Sequence, residues 1–447
     1  MTDKTISFST LRFFLLRFRS VTVSSVLLLL LADLFFLPLK GLSQTGTSSP
    51  YSIYGIGDLN QGNIAFNLGM GGTALGVSYL NQINPLNPAS YTSVELTTFT
   101  TGINSTFLHL QKTGTSSEIT NNASMACIAM AFPIPGSRKW ASSFGLVPVS
   151  SVGYKISDKS FMPETGKTVR YLYEGSGGLS KFYIGNAYHF NDHFAAGANV
   201  AYLFGNIGKT RTVEFSDSLN MLFSRITNNL SLGGIHVDLG MQYTQKVSEH
   251  WVLTTGITGS PSLHAAAKYD TLAERYKYNS FGLISVIDTV SLSSGNDNAV
   301  TLPSYFGFGV SIKNEHWLIA ADFSSRKWSG FSVANKNQGL QNSSRFAAGL
   351  EYSANPSSPK HYREQIHYRF GFYRDNTFLE LQNYRLKEYG ITFGLGLPFK
   401  RAGSTLNLSF DLSQRGTLSN GLIQERFVRC NAAFTINDKW FIPRKFD

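Results

Sequence analysis

The chain has 447 residues, of which only 15% are charged, well below the ~25% usual for soluble domains, while 13% are aromatic. Mean hydropathy is near zero at −0.08, which excludes a bundle of membrane-spanning helices but fits strands that need be apolar on one face only. Net charge is +11, yet the basic residues are scattered and no basic aromatic patch appears, so nucleic acid is excluded as a partner and an anionic membrane surface fits better.

Residues 1–43 read as a secretory signal peptide. Basic residues (Lys4, Arg12, Arg17, Arg19) precede an apolar stretch from Val21 to Leu39, and Gly41-Leu42-Ser43 offers a small-residue cleavage site. Asp33 and Pro38 argue against a retained transmembrane helix, since an acid at helix centre costs about 2.5–3.5 kcal/mol. No later segment approaches 18 consecutive apolar residues. The reading is therefore an exported chain that reaches the cell outer membrane as a multi-pass β-barrel.

Residues 44–95 lack strand alternation and are rich in Gly, Ser, Thr and Asn, as in Gly69–Val77. Asn84-Pro85 and Asn87-Pro88-Ala89 disfavour helix and strand, because proline restricts both itself and the residue before it. Small residues allow close backbone approach, so this segment is expected to act as a hatch inside the barrel formed by residues 96–447.

From residue 96 onward, fourteen runs alternate, at about 96–110, 122–135, 139–156, 176–190, 193–207, 229–246, 251–263, 300–313, 316–328, 343–354, 364–376, 387–398, 404–414 and 423–437. In the last three, Phe393, Leu395, Leu406, Leu408, Phe410, Val428 and Phe434 lie on one face, and Gly, Ser, Thr and Asn on the other. Period two places successive side chains on opposite faces of a strand. The fold class is all-β: a 14-stranded antiparallel transmembrane β-barrel whose lumen is plugged by an N-terminal hatch. Long connections expected at 157–175, 208–228 and 264–299 alternate with short turns such as Asn191-Asp192 and Asn314-Glu315, as a barrel with both termini on the periplasmic side requires. Histidines in these turns fall on separate turns and lack metal-site spacing, so no metal is expected.

Charged residues at inward parity include His236, Asp238, Arg345, Glu351, Arg369 and Arg429. One reading pairs them with each other and with the hatch. The other gives an Arg to an anionic ligand headgroup, since the guanidinium fits carboxylates. Pro148 interrupts the third run and marks a candidate strand kink. Cys127 and Cys430 sit in strands and read as small apolar residues. Neither a Gly-x-Ser-x-Gly elbow nor a His-Glu-x-x-His helix appears, so no catalytic residues and no cofactor are assigned.

Gly69–Val77 followed by Asn87-Pro88-Ala89, just before the first strand, resembles the hatch of the FadL/TodX family of outer-membrane transport proteins. Ser49–Leu59 and Asn437–Phe441 resemble a branch common among Bacteroidetes. The resemblance implies a passive transporter of hydrophobic small molecules such as long-chain fatty acids. It also implies a kinked strand that opens a lateral exit to outer-membrane lipid, and a monomer. The alternative is a barrel that scaffolds or shuttles cargo for a protein-secretion system.

Overall fold

The structure, a computed structural model, describes residues 46–440 apart from 63, 138, 164–165, 216–220, 280, 356–360 and 400–402. The signal-peptide reading of 1–43 lies outside the described residues. Fourteen strands form the barrel. The first six are β1 (Thr97–Lys112), β2 (Glu118–Pro133), β3 (Trp140–Met162), β4 (Lys167–His189), β5 (Phe194–Phe215) and β6 (Phe223–Lys246). The next two each consist of two collinear stretches: β7 of Val252–Ser260 and Leu263–Tyr278, β8 of Ile284–Leu302 and Tyr305–Lys313. Pro261 and Pro303 interrupt them, because proline cannot donate to a ladder. The partnering is continuous across both breaks, Ser260 facing Tyr305 and Leu263 facing Leu302. The last six are β9 (Trp317–Arg326), β10 (Ser343–Tyr352), β11 (His367–Leu381), β12 (Tyr384–Pro398), β13 (Thr405–Arg415) and β14 (Ile423–Asp438).

Neighbours in sequence pair antiparallel, and β14 closes the ring on β1 in unbroken register from Ile423–Lys112 to Asp438–Thr97. The two faces divide as the alternation requires. Val200, Tyr202, Ile235, Leu239, Phe306, Phe308, Phe370 and Phe393 point outward and are exposed, whereas Asn199, Asn407, Ser409 and Thr435 point into the lumen and are buried. An apolar belt that leaves its side chains open while polar ones are covered suits hydrocarbon, not water, as the surrounding solvent.

The long connections expected on one side are not loops. The β3–β4 ladder runs up to Met162–Lys167, β5–β6 reaches Val213–Ser224, and β7–β8 reaches Tyr278–Ile284. These strands continue beyond the lipid belt. Their alternation of apolar and polar residues stops there because the outward face now meets water: Asn206, Thr210 and Asn229 occupy it on β5 and β6. A pattern tuned to lipid therefore ends before the strand does.

Candidate functional site: the plugged lumen and its wall opening

Residues 46–96 line the lumen and pack backbone-to-backbone against the wall. A Cβ at Gly256 would overlap Leu75 O, and one at Gly371 would overlap Gly71 N. The inward glycines, which appear in sequence as the small face of each strand, thus make room for the hatch chain. The wall then satisfies hatch polar groups. Asp322 accepts from the backbone N–H of Ala74 (2.6 Å) and Leu75 (2.9 Å). The Thr392 hydroxyl accepts from Gly71 N at 2.7 Å and donates to Gly69 O at 3.1 Å.

The two Asn-Pro steps have separate tasks. Asn84 Nδ2 donates to Ala74 O at 2.7 Å, and Pro85 O accepts from Asn199 at 3.2 Å. Asn87 Nδ2 donates to Leu75 O at 2.7 Å, while its Oδ1 accepts from Ala89 N at 3.1 Å. Asn87 thereby caps the short 3₁₀ helix Pro88–Ser93, with Pro88 at its first position. These side chains fold the hatch onto itself and onto the wall.

The inward charges are paired. Arg369 Nε donates to Glu351 (2.6 Å) and its Nη1 to Asn407 (2.8 Å); His367 (3.0 Å) and the hatch Tyr79 hydroxyl (2.6 Å) share the same carboxylate. Arg429 meets Glu388 (2.9 Å) and Asp411 (2.8 Å). Arg345 donates to Gly71 O (3.0 Å), lies 3.6 Å from Asp375 and stacks over Tyr373 at 3.9 Å. Asp238 accepts from Lys181 (2.8 Å), with His236 at 3.0 Å. One charged hatch anchor was not singled out from the sequence. Arg415 joins the hatch Asp58 (2.6 Å) and Ser49 (2.9 Å) to Glu425 (2.6 Å) on β14. Its inward parity with Asp411 and Ser413, one step beyond where the alternating run was ended, is the signal that was there to read.

The wall is not complete. β2 and β3 pair only over Ile128–Pro133 with Ala141–Leu146, and among the described residues no ladder joins 118–127 to 147–162. The opening begins beside Pro148, where the β3–β4 register shifts between Pro148 and Ser150. The hatch fills part of it: Asp58–Leu59 pairs with Ser150–Ser151 on the free edge of β3, and Asn60 N donates to Val149 O at 2.9 Å. Gly46 also lies there: a Cβ on it would overlap the Ser151 side chain and approach Ser124 on β2.

Two cavities meet at this place and share Leu59, Asn60, Gln61, Pro148 and Arg326. The larger, of about 220 Å³, has a mixed lining that includes the charged Arg345, Asp375, Glu388, Asp411, Arg415 and Arg429. The smaller, of about 140 Å³, is mostly apolar, with Ile56, Leu86, Val147, Leu203, Leu302 and Trp328 around it and Lys181, His236 and Asp238 at its polar end. Arg369 and Glu351 border neither. Cys127 and Cys430 are free and buried.

A family model described as BamG matches residues 26–447. No curated protein matches the sequence. Solved structures that resemble the fold include the CymD monoaromatic hydrocarbon channel, with a TM-score of 0.58 and 11% identity over 85% of this chain and 99% of that one. The Pseudomonas putida toluene transporter TodX aligns with a TM-score of 0.56 and 16% identity over 87% and 100%. A Pseudomonas aeruginosa FadL homologue aligns with a TM-score of 0.52 and 12% identity over 84% and 97%. At these identities the likeness concerns the fold: a plugged outer-membrane β-barrel of FadL type.

Proposed function

The chain belongs to the BamG family, and from that premise and its FadL-type barrel we propose that it passes hydrophobic small molecules, fatty-acid-like amphiphiles among them, from the cell surface toward outer-membrane lipid. The observation that carries this reading is the opening between β2 and β3, which adjoins an apolar cavity with a polar end. An alkyl or aromatic body fits against Val147, Leu203 and Leu302, while Lys181 and His236 suit an ionised or hydroxylated head. Arg345, Arg369 and Arg429 are spent on wall carboxylates, so in this reading they hold the lumen and hatch in shape. Exit requires the hatch strand Asp58–Leu59 to leave the edge of β3.

The test is a reversible latch. Leu59 and Ser150 are direct partners across that short ladder. In a Cys127→Ala/Cys430→Ala background, Leu59→Cys/Ser150→Cys should, once oxidised, stop uptake of radiolabelled oleate and toluene, and reduction should restore it. Undiminished uptake by the oxidised form would refute lateral release.

A second reading, a scaffold or shuttle for a protein-secretion system, is favoured by one feature: the sheet formed by β3–β8 above the lipid belt. Wild-type chain that moves neither probe would shift weight to it.

A further inference from the structure

Above the belt, β3, β4, β5, β6, β7 and β8 form one continuous antiparallel sheet with two free edges. Exposed edges invite pairing with other chains, and proteins commonly blunt them with charge or proline. The β3 edge follows that rule, with Lys155, Asp158 and Lys159 among its eight residues Lys155–Met162. The β8 edge is blunted less. From Ile284 to Ser294 its one charged residue is Asp288, which lies 3.7 Å from Arg275 on β7, and no Lys, Arg or Pro occurs between Ile284 and Leu302. From Ile284 to Ser294, β8 pairs with β7 on one side; on the other, among the described residues, ladder pairing begins only at Val300–Val333.

Along this edge Ile284, Val286, Ile287, Val290 and Leu292 are apolar and open, separated by Ser, Thr and one Asp. Phe281 at the tip is 88% exposed, Leu292 71%, Val290 54%, Ile287 48% and Val286 46%. Lipid does not reach them. Leu292 lies fourteen residues beyond Phe306, the outermost lipid-facing residue of the strand. At ~3.3 Å per residue and ~45° tilt that is about 30 Å above the belt. The apolar strip is therefore in water, where a contiguous patch marks an interaction surface.

We propose that the β8 edge from Ile284 to Ser294 receives an extended segment of another protein at the cell surface, added as a strand, with apolar side chains at alternate positions. Backbone pairing supplies the ladder, and the exposed apolar residues select the partner's side chains. Register shifts at Val286/Asp288 and Thr289/Ser291 keep the flat stretches short, so a docked strand is a short one. A second copy of this chain does not fit. Two barrels in one membrane, related by an axis along its normal, would present edges tilted by ~45° in opposite senses, crossing at about 90° where a ladder needs parallel or antiparallel strands. This inference stands apart from the transport reading, since the edge touches neither cavity.

The experiment places a photo-crosslinking phenylalanine analogue at Ser293, and separately at Ser160 on the β3 edge, in the full chain in its native membrane. Adducts are mapped by tandem mass spectrometry. The expected result is an adduct from position 293 whose partner residues fall in one extended segment of one other protein. Val290→Lys/Leu292→Lys should reduce its yield about tenfold, the effect of removing two apolar contacts and charging the edge. Heat-modifiable mobility of the barrel should stay unchanged. The proposal fails if position 293 gives no adduct, if it maps to residues 284–294 of a second copy or only to lipid, if position 160 gives the same partner at equal yield, or if the double substitution leaves the yield unaltered.

Discussion

Arg415 ties the hatch to two other wall strands: it meets Ser49 and Asp58 from the hatch, Glu425 from β14, and Glu388 from β12 at 3.7 Å. Glu425 is fully buried. Removing one partner of a buried ion pair costs about 3–5 kcal/mol because the other charge is left unsolvated. Arg415→Met should therefore loosen residues 49–59 selectively. Hydrogen exchange of their amides should rise by about a hundredfold or more, with β13 and β14 themselves little changed. Unchanged exchange there would show that Arg415 does not hold the hatch. Lys209 anchors the same segment from above the lipid belt, donating to Ile53 O (2.7 Å) and Gly55 O (3.3 Å). Burial, then the neighbouring Arg211 cation, brings its pKa down to about 8 from 10.5. Between those values the unfolded chain holds the proton that the folded chain has released, so this group's contribution to stability rises with pH across that window and is unfavourable below it. The stability of wild type relative to Lys209→Met should thus improve from pH 8 to 10.5. A difference that is flat, or that runs the other way, would contradict the burial of this amine.

The strands were legible because lipid imposes period two on each one separately. Phe393, Leu395 and Leu397 in β12, or Leu406, Leu408 and Phe410 in β13, reveal their outward face without knowledge of any neighbour. The reading failed where the solvent changes. Above the belt, β5 through Arg211 and β7 through Tyr276 are still strands, but their outward residues face water and the signal disappears. The same boundary concealed Arg415, one residue beyond the run 404–414, whereas Glu388 and Glu425 lie at inward parity inside their runs and carry no further signal of the partners they meet. Other inward charges, among them Glu351, Arg369 and Arg429, were identifiable because a charge on the lipid face at mid-depth would cost about 2–4 kcal/mol. Which charge meets which could not be read, since pairing depends on register between strands. The opening between β2 and β3 is of the same kind. Each strand alternates properly by itself, and only their shared ladder, short at six residue pairs, discloses the gap. Pro148 carries a local signal, since it cannot donate a ladder hydrogen bond, and it lies where the β3–β4 register shifts.

Barrel closure and plug are separable in their physics. The β14–β1 seam is a ladder between wall strands alone, crossed by side-chain bonds from Thr98 to Asn437 and between Thr100 and Thr435, and the hatch touches it only at its outer end, where the Tyr51 hydroxyl bonds the Ile423 backbone. Several lumen clusters are likewise complete without the hatch: Arg429 with Glu388 and Asp411, Lys181 with Asp238, and Arg369 with Glu351. The hatch adds Asp58 to Arg415, the Tyr79 hydroxyl to Glu351 and two N–H groups to Asp322. Water can replace each of these in an opened lumen, whereas lipid could not replace a lost ladder bond. A chain lacking residues 46–96 but retaining 1–45 should therefore still insert as a heat-modifiable barrel of lower thermal stability. Barrels of 16–18 strands hold an aqueous channel, and fourteen approaches that width once the plug is gone. In planar bilayers the hatchless barrel should show discrete ion-conducting steps that the full chain lacks. A full chain that conducts equally would mean the hatch does not seal the lumen. A hatchless chain that never acquires heat-modifiable mobility would mean the plug is needed to assemble the wall, because the inward glycines that accommodate it, such as Gly256 and Gly371, leave too little wall-to-wall packing by themselves.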